Sequence, residues 1–316
     1  MAGWRAALGR LRRRLRGADD AGVWFDADEI AEVHRVYAAS GSVAGGPWDR
    51  YRDAHLRLPA WFRPGLDPWS EDYARQQHRL WALVAGVERD YRAEVDEQDV
   101  GWDDADPIRR PGYYQRRDPL AVATAADHWL ATGMLMQHSG LRPGDWALEY
   151  GPGFGQSALA LARLGVNVDT VDISPRFVRF MARQARHFDV PLRSFRGAFG
   201  HRPDPDRHYQ LLWFYESFHH CVDFRQLVPR LAEMLAPGGR VILSGEPIVE
   251  AECPAVPYPW GVRLHSEVAA VMRTTGWFEL GFTEAFLFEL FGRSGLRGRR
   301  VDCEPSLFGR LYVFER

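Results

Sequence analysis

Glu149-Tyr-Gly-Pro-Gly-Phe-Gly155 is the stretch that decides the fold of this chain. It follows Trp146–Glu149, which is predicted to form a short buried strand, and it precedes Gln156–Leu164, whose alanines and leucines are typical of a helix. A turn and a second strand are predicted over residues 165–172. The order strand, glycine turn, helix, strand is the first unit of an open α/β sheet, in which ligands bind beyond the carboxyl ends of the strands.

The residues of this turn indicate a ligand that carries a ribose. Gly151, Gly153 and Gly155 let a ligand approach the backbone, because glycine has no Cβ. Asp172, at the end of the second predicted strand, can accept hydrogen bonds from a ribose diol. The dinucleotide fingerprint G-x-G-x-x-G fails because its sixth position is Gln156, and the chain has no lysine for a phosphate loop. The alternative is a glycine turn that binds nothing.

The G-x-G-x-G spacing directly after Glu149 resembles the class I S-adenosylmethionine-dependent methyltransferases. Compatible segments follow in the same order as in that family. They are a third strand near 191–195, Gly197-Ala-Phe199, a fourth strand over Tyr209–Tyr215, a turn over Leu235–Arg240, and a fifth strand over Val241–Ser244. The resemblance covers residues 140–250 and implies an α/β fold with a seven-stranded, mostly parallel, doubly wound sheet.

The resemblance also implies S-adenosylmethionine as cofactor and S-adenosylhomocysteine as product. The cationic sulfonium and amino group suit the carboxylate of Glu149 beside the glycine turn. Tyr113 and Tyr114 lie where related enzymes close over the cofactor. The expected cofactor-binding residues are Glu149, Gly151, Gly153, Gly155, Asp172, Ile173, Ala198, Phe199, Tyr215, Glu216, Tyr113 and Tyr114.

Methyl transfer requires alignment of the acceptor with the methyl carbon, and a hydroxyl acceptor also needs a base that takes its proton. His219 and His220 follow the fourth predicted strand and are the catalytic candidates. Adjacent residues point in different directions, so one of them is expected to face the methyl group, with a slight preference for His219. The alternative is that both histidines are structural. Glu216 could hold the acceptor.

A proline-rich segment after the fifth strand, residues 253–261, lies where the family often inserts substrate-binding elements. The substrate-binding candidates near it are Glu246, Tyr258, Trp260, Arg263 and His265. The alternative is that the prolines only shape a surface loop.

Segments 214–221 and 258–264 are similar to bacterial methyltransferases associated with surface-polysaccharide glycosyltransferases. The leading hypothesis is therefore O-methylation of a sugar or glycolipid intermediate. The alternatives are N- or O-methylation of a small natural product, and a non-catalytic partner protein that binds S-adenosylmethionine. Nucleic acid is not an expected partner, because the net charge is −2 and no proline-proline block follows the fourth strand. No metal is expected, since no carboxylate spacing establishes a site.

The 316 residues are long enough for three regions. Residues 1–17 form a basic amphipathic tail, residues 18–140 a helical lid over the carboxyl edge of the sheet, and residues 141–316 the cofactor-binding domain. Helices are predicted near 28–38, 70–90, 120–139, 266–275 and 283–291, and the last two strands over 299–303 and 311–314. No long apolar run or signal peptide is recognised, so a cytoplasmic protein is expected, with peripheral contact to the inner membrane surface through the tail. The oligomeric state stays open.

Overall fold

The computed structural model describes residues 23–41, 45–97, 107–306 and 308–316. The predicted basic tail, residues 1–17, lies outside this part of the chain, so its membrane contact stays a prediction. The described residues form two units. The N-terminal unit combines residues 23–97 with Pro247–Leu287, and the sheet unit combines residues 107–246 with Phe288–Arg316.

Twelve strands occur in the described residues. They are β1 (Val23–Phe25), β2 (Ala54–Leu56), β3 (Trp146–Tyr150), β4 (Asn167–Asp172), β5 (Leu192–Arg196), β6 (Tyr209–Tyr215), β7 (Leu235–Ser244), β8 (Ile248–Val249), β9 (Trp260–Val262), β10 (Leu280–Thr283), β11 (Arg297–Val301) and β12 (Leu311–Glu315).

Nine α-helices occur in the same residues, along with short 3₁₀ turns that include Gly112–Gln115 and Phe218–His220. The helices are α1 (Ile30–Ser40), α2 (Glu71–Ala85), α3 (Ala93–Asp96), α4 (Ala121–Ser139), α5 (Gln156–Ala162), α6 (Pro175–Phe188), α7 (Phe224–Met234), α8 (Ser266–Thr275) and α9 (Glu284–Gly292). Among the described residues, no helix combines the length and apolar character that a bilayer crossing requires.

The sheet unit contains a seven-stranded sheet in the order β11-β12-β7-β6-β3-β4-β5. Strands β3 to β7 are parallel, whereas β12 runs antiparallel to both β7 and β11. The predicted seven-stranded, mostly parallel sheet is confirmed. Residues such as Leu148 and Trp213 are fully buried because both faces of a parallel sheet are covered. One face packs against α4, α5 and α6.

Strand β7 begins earlier than the sequence predicts. Leu235 pairs with Tyr209, and the pairing then shifts so that Arg240 lies opposite Leu211. The predicted turn is therefore an irregularity inside the strand. A Cβ at Gly239 would lie 2.7 Å from the Tyr209 carbonyl oxygen, so this close approach of two strands requires glycine.

The sequence predicts a helical N-terminal region, but the N-terminal unit also contains β-strands. It contains a parallel pair, β1–β2, and a three-stranded sheet in the order β8-β10-β9. These strands are two to four residues long, too short to give a periodic signal in the sequence.

The observed division differs from the predicted boundary at residue 140. Residues 107–140 belong to the sheet unit, and Pro247–Leu287 joins the N-terminal unit. Hydrogen bonds explain the second difference: the Tyr73 hydroxyl donates to the Trp260 carbonyl at 2.6 Å, and the Leu56 amide donates to the Leu264 carbonyl at 2.7 Å. The predicted lid role of the N-terminal region stays a prediction.

Candidate functional site

The glycine turn connects β3 to α5 at the carboxyl edge of the sheet. Gly151, Gly153 and Gly155 all have positive φ, at 65°, 52° and 63°. A Cβ would lie 2.8 Å from the Ser217 Cβ at Gly151 and 2.2 Å from the Met181 side chain at Gly155. At Gly153 the nearest atom would be 3.9 Å away, in a phenylalanine ring. The middle of the turn therefore leaves space beside the backbone, which a bound ligand can use.

Asp172 ends β4 next to this turn and is 8% exposed. Its Oδ2 accepts from the Gly153 amide at 3.3 Å, and its Oδ1 accepts from the Ser174 amide at 2.8 Å. The carboxylate thus ties the glycine turn to the loop that begins at the half-buried Ile173. This position suits the ribose-binding role that the sequence predicts.

The segment after β5 also reaches the turn. The Gly197 amide donates to the Asp172 carbonyl at 3.0 Å, which holds this segment beside β4. Ala198 is exposed, and the Phe199 ring packs on Phe214 with centroids 5.8 Å apart. A Cβ at Gly151 would be 3.6 Å from the Phe199 ring. Two predicted cofactor residues, Ala198 and Phe199, therefore lie near the glycine turn.

Glu149 lies in the interior of the sheet unit and is 1% exposed. Its Oε1 accepts from the Ser157 hydroxyl at 2.6 Å and from the Trp213 indole N–H at 2.9 Å. Its Oε2 has no hydrogen-bond partner within the described residues. Burial raises the pKa of Glu149 to about 7. The side chain links β3 to α5 and β6, directly before the glycine turn in sequence, through Ser157 and Trp213. Its direct contact with a cofactor stays a prediction.

His219 is paired with Glu246 directly beyond β6. The Glu246 Oε2 accepts from His219 Nδ1 at 2.7 Å and from the His219 amide at 3.0 Å. Its Oε1 accepts from the amides of Ser217 and Phe218, both at 2.9 Å. Burial raises the pKa of Glu246, and the three backbone N–H groups oppose that rise. Because four donors surround the two oxygens, the geometry fits an ionised carboxylate that accepts a hydrogen bond from the protonated Nδ1 of His219.

In this arrangement Glu246 has a structural role, and its predicted role in acceptor binding stays a prediction. Its side chain is 1% exposed, and its oxygens hold His219 and the turn that follows β6. The turn itself is fixed to the glycine loop, since the Ser217 hydroxyl donates to the Tyr150 carbonyl at 2.8 Å. The predicted catalytic histidine and the cofactor turn are therefore neighbours within the sheet unit.

Two residues close to His219 in the chain, His220 and Glu216, lie in different environments. The His220 ring is half-buried, with its centroid 4.1 Å from that of His219. Glu216 has a positive φ of 51°, which is unusual for a residue with a Cβ, and its amide donates to the Ser244 carbonyl at 2.9 Å. Such a backbone state costs about 1–3 kcal/mol and is held here by the neighbouring strand.

Tyr113 and Tyr114 lie in the turn Gly112–Gln115, which packs on the glycine loop. The Gln156 side-chain amide donates to the Pro111 carbonyl at 3.3 Å, and a Cβ at Gly112 would be 3.2 Å from the Phe154 ring. The prediction placed these tyrosines beside the cofactor, and the observed packing is compatible with it. Contact with the cofactor itself stays a prediction.

His128, on α4, lies in the same region, and the sequence analysis did not identify it as a site residue. Its Nδ1 lies 2.5 Å from the Tyr215 hydroxyl, and its ring stacks on Tyr113 with centroids 4.8 Å apart. Burial lowers the pKa of His128 to about 4. A single histidine in a helix carries no sequence signal, and its partner is 87 residues away in the chain.

The remaining substrate-binding candidates lie in the N-terminal unit, where each has a partner in that unit. Tyr258 donates to the Val262 carbonyl, and the Trp260 indole N–H donates to the Pro68 carbonyl at 2.8 Å. Arg263 pairs with Glu279, and His265 caps α8 by accepting from the Glu267 amide at 3.2 Å. These contacts explain the residues as packing and capping groups. Acceptor binding by Tyr258, Trp260, Arg263 and His265 stays a prediction.

Comparison with known proteins agrees with this geometry. Residues 148–243 match the family model described as a methyltransferase domain. The demethylmenaquinone methyltransferase of Tropheryma whipplei is 27% identical over 130 residues, which are 41% of this chain and 53% of that protein. The 27-O-demethylrifamycin SV methyltransferase of Amycolatopsis mediterranei is 33% identical over 108 residues, or 33% of this chain and 39% of that protein. The chain spans about half or less of the length of these relatives.

Among solved structures, the geranyl diphosphate C-methyltransferase of Streptomyces coelicolor A3(2) has a TM-score of 0.51 and 18% identity. The alignment covers 79% of this chain and all of that one, and at this identity it concerns the fold alone.

The residues at the carboxyl edge fit an S-adenosyl group by their own chemistry. Gly153 leaves open space beside the backbone, Asp172 offers carboxylate oxygens, and the buried Glu149 has one oxygen without a hydrogen-bond partner within the described residues. The sheet order, this turn and the match of residues 148–243 to a methyltransferase domain agree with one another: the sheet unit has the class I methyltransferase fold, and its residues fit S-adenosylmethionine as cofactor.

Proposed function

We propose that this protein transfers a methyl group from S-adenosylmethionine to a hydroxyl group, with His219 as the general base. The single observation that carries the proposal is the His219–Glu246 pair beside the glycine turn. A carboxylate that fixes one imidazole nitrogen is the usual way to orient a histidine for proton transfer.

The turn Gly151–Gly155 and Asp172 would hold the cofactor. The turn would bring backbone atoms next to the ligand, and the carboxylate of Asp172 would accept from the ribose hydroxyls. When bound, S-adenosylmethionine supplies an activated methyl group with a neutral thioether as its leaving group. The protein's task is then to align the acceptor and to remove its proton.

His219 is suited to remove that proton. Its Nδ1 donates to Glu246, so the neutral ring carries its lone pair on Nε2. When Nε2 takes the acceptor's proton, the imidazolium that forms lies 2.7 Å from a carboxylate, which stabilises the charge. Proton transfer of this kind contributes about 10²–10⁴-fold to the rate.

For the acceptor we propose a sugar or glycolipid hydroxyl, on the similarity of segments 214–221 and 258–264 to methyltransferases of surface-polysaccharide assembly. A hydroxyl of a small natural product is the second candidate. The 33% identity to the 27-O-demethylrifamycin SV methyltransferase favours it, since the name of that relative gives a natural product as its substrate. Both acceptors need the same base.

The test uses methyl-labelled S-adenosylmethionine with fractionated extract of the source organism. Label in a lipid-linked or polysaccharide fraction supports the sugar acceptor, and label in small metabolites moves the natural product to first place. Binding of the cofactor without any transfer contradicts the enzymatic proposal and favours a non-catalytic partner protein.

The same assay tests the base. His219→Gln is expected to lower turnover by about 10²–10⁴-fold, and His220→Gln is its matched control, one residue away and outside the Glu246 pair. Equal turnover in His219→Gln and the wild type at every pH would refute the base role and favour an acceptor that is already nucleophilic, such as an amine.

A further inference from the structure

Tyr215 lies where the cofactor's reactive end is expected. It is the last residue of β6, and the residue before it, Phe214, pairs with Tyr150 of β3. Because β3 and β6 are parallel neighbours, Tyr215 lies beside Gly151, at the start of the glycine turn. A hydroxyl at this place can act on a ligand that the turn holds.

His128 holds that hydroxyl from the other side. Its Nδ1 is 2.5 Å from the Tyr215 oxygen. The imidazole is stacked between the rings of Tyr113, at 4.8 Å and 7°, and Phe308, at 5.0 Å and 21°. With two stacked faces and a side chain that is 17% exposed, the ring has little freedom to turn away.

The protonation states decide which atom donates. Burial lowers the pKa of His128 to about 4 and raises the pKa of Tyr215 above its ordinary value, so both groups are neutral near pH 7. A phenol is a stronger proton donor than a neutral imidazole. The Tyr215 hydroxyl therefore donates to Nδ1, and its oxygen lone pairs point elsewhere.

The surrounding charges suit a positive ligand group. The Glu216 Oε2 lies 3.8 Å from His128 Nδ1, and the half-buried Asp127 occupies the preceding position on α4. A neutral imidazole adds no positive charge that would repel a cation. Arg116 is the cation whose charge acts on His128, and it pairs with Asp118 at 2.7 Å.

We propose that His128 is a positioning residue, which binds the hydroxyl proton of Tyr215 so that the lone pairs of the phenolic oxygen face the positively charged sulfonium end of S-adenosylmethionine. The inference rests on the proposed function, because it requires this cofactor at the glycine turn. Its consequence is selective: the Tyr215 oxygen favours the charged substrate over the neutral product, S-adenosylhomocysteine. A merely structural role for His128 predicts no such selectivity.

Calorimetric titration of the full chain with each of the two ligands, without acceptor, tests this. The measured quantity is the ratio of the Kd for S-adenosylhomocysteine to the Kd for S-adenosylmethionine. His128→Phe keeps the stacking and removes the hydrogen-bond acceptor, whereas Tyr215→Phe removes the hydroxyl. Each variant is expected to lower the ratio by about 3- to 10-fold, as the loss of one hydrogen bond implies.

A double variant, a conservative variant and a control separate positioning from stability. The double variant is expected to lower the ratio no more than either single change, because both remove the same interaction. His128→Asn, whose Oδ1 can replace Nδ1 as acceptor, is expected to restore most of the ratio. His138→Phe is the matched control on the same helix and should leave the ratio unchanged.

The outcomes distinguish failure of the proposed function from failure of the positioning role of His128. If the wild type binds neither ligand, the proposed function falls and this inference falls with it. If the wild type binds both ligands and the ratio in Tyr215→Phe, and in His128→Phe where that variant folds, equals the wild-type ratio, the proposed function stands and the positioning role is refuted.

Discussion

Glu246→Gln is the change that most directly tests how the site is held together. The carboxylate accepts from the amides of Ser217, Phe218 and His219 at 2.9–3.0 Å, and from His219 Nδ1 at 2.7 Å. Glutamine has nearly the same shape, but only one of its two terminal atoms accepts. Two of the four donors must then face an NH₂ group.

The magnitude follows from those two lost interactions. A hydrogen bond to a charged group contributes about 1.5–3 kcal/mol, so two of them contribute about 3–6 kcal/mol. Relief of the buried charge offsets part of this loss, since burial raises the pKa of Glu246. We expect the free energy of unfolding to fall by about 3 kcal/mol, the lower end of the range for two hydrogen bonds to a charged group.

Urea unfolding at pH 7, followed by circular dichroism, measures this loss. The control is Glu233→Gln, the same chemical change at an exposed position on α7, which should alter the free energy of unfolding by less than about 0.5 kcal/mol. A loss below about 1 kcal/mol in Glu246→Gln would show that the four hydrogen bonds are weaker than the geometry indicates.

Further predictions concern pH and the cofactor turn. Burial lowers the pKa of His128 from 6.5 to about 4. As the pH falls, the imidazole therefore takes up a proton in the unfolded chain before it does so in the folded protein. The wild type should therefore lose about 3 kcal/mol more stability than His128→Phe between pH 7 and pH 4 in urea unfolding, and parallel losses would contradict this. Gly155→Ala should lower the melting temperature more than Gly153→Ala, because only at Gly155 does the new Cβ overlap Met181; equal melting temperatures would refute the packing argument. Asp172→Asn should weaken S-adenosylmethionine binding by about 10-fold, measured by calorimetry, and unchanged binding would place the ribose elsewhere.

The sheet could be predicted because its signals are local. The glycine turn, the apolar strands and the helix after the turn all lie within a few residues of each other, and β6 has the predicted bounds, Tyr209–Tyr215. The helix Ser266–Thr275 was also predicted with its observed bounds, and in the structure His265 caps its start and Gly276 follows its end.

The parts that escaped prediction depend on contacts between distant residues. Glu246 meets His219 across 27 residues, and His128 meets Tyr215 across 87. The sequence shows Glu246 only as a polar residue after a strand, so its contacts with His219 and the turn after β6 could not be predicted from it. The short strands β8, β9 and β10 exist because they pair with one another, and no local pattern encodes that pairing.

The discontinuity of the N-terminal unit bears on synthesis at the ribosome. The Ser266 hydroxyl donates to the Tyr51 carbonyl at 2.6 Å, and the Val262 amide donates to the Gln77 side chain at 3.0 Å, so this unit is completed by its late segment. The early segment must wait while roughly 150 residues are added, which takes about 7–30 s at ordinary elongation rates of about 5–20 residues per second. During that interval its apolar residues, such as Trp81 and Val84, lack part of their cover. Exposed apolar side chains of this kind are what make an incomplete chain prone to aggregation until its late segment arrives.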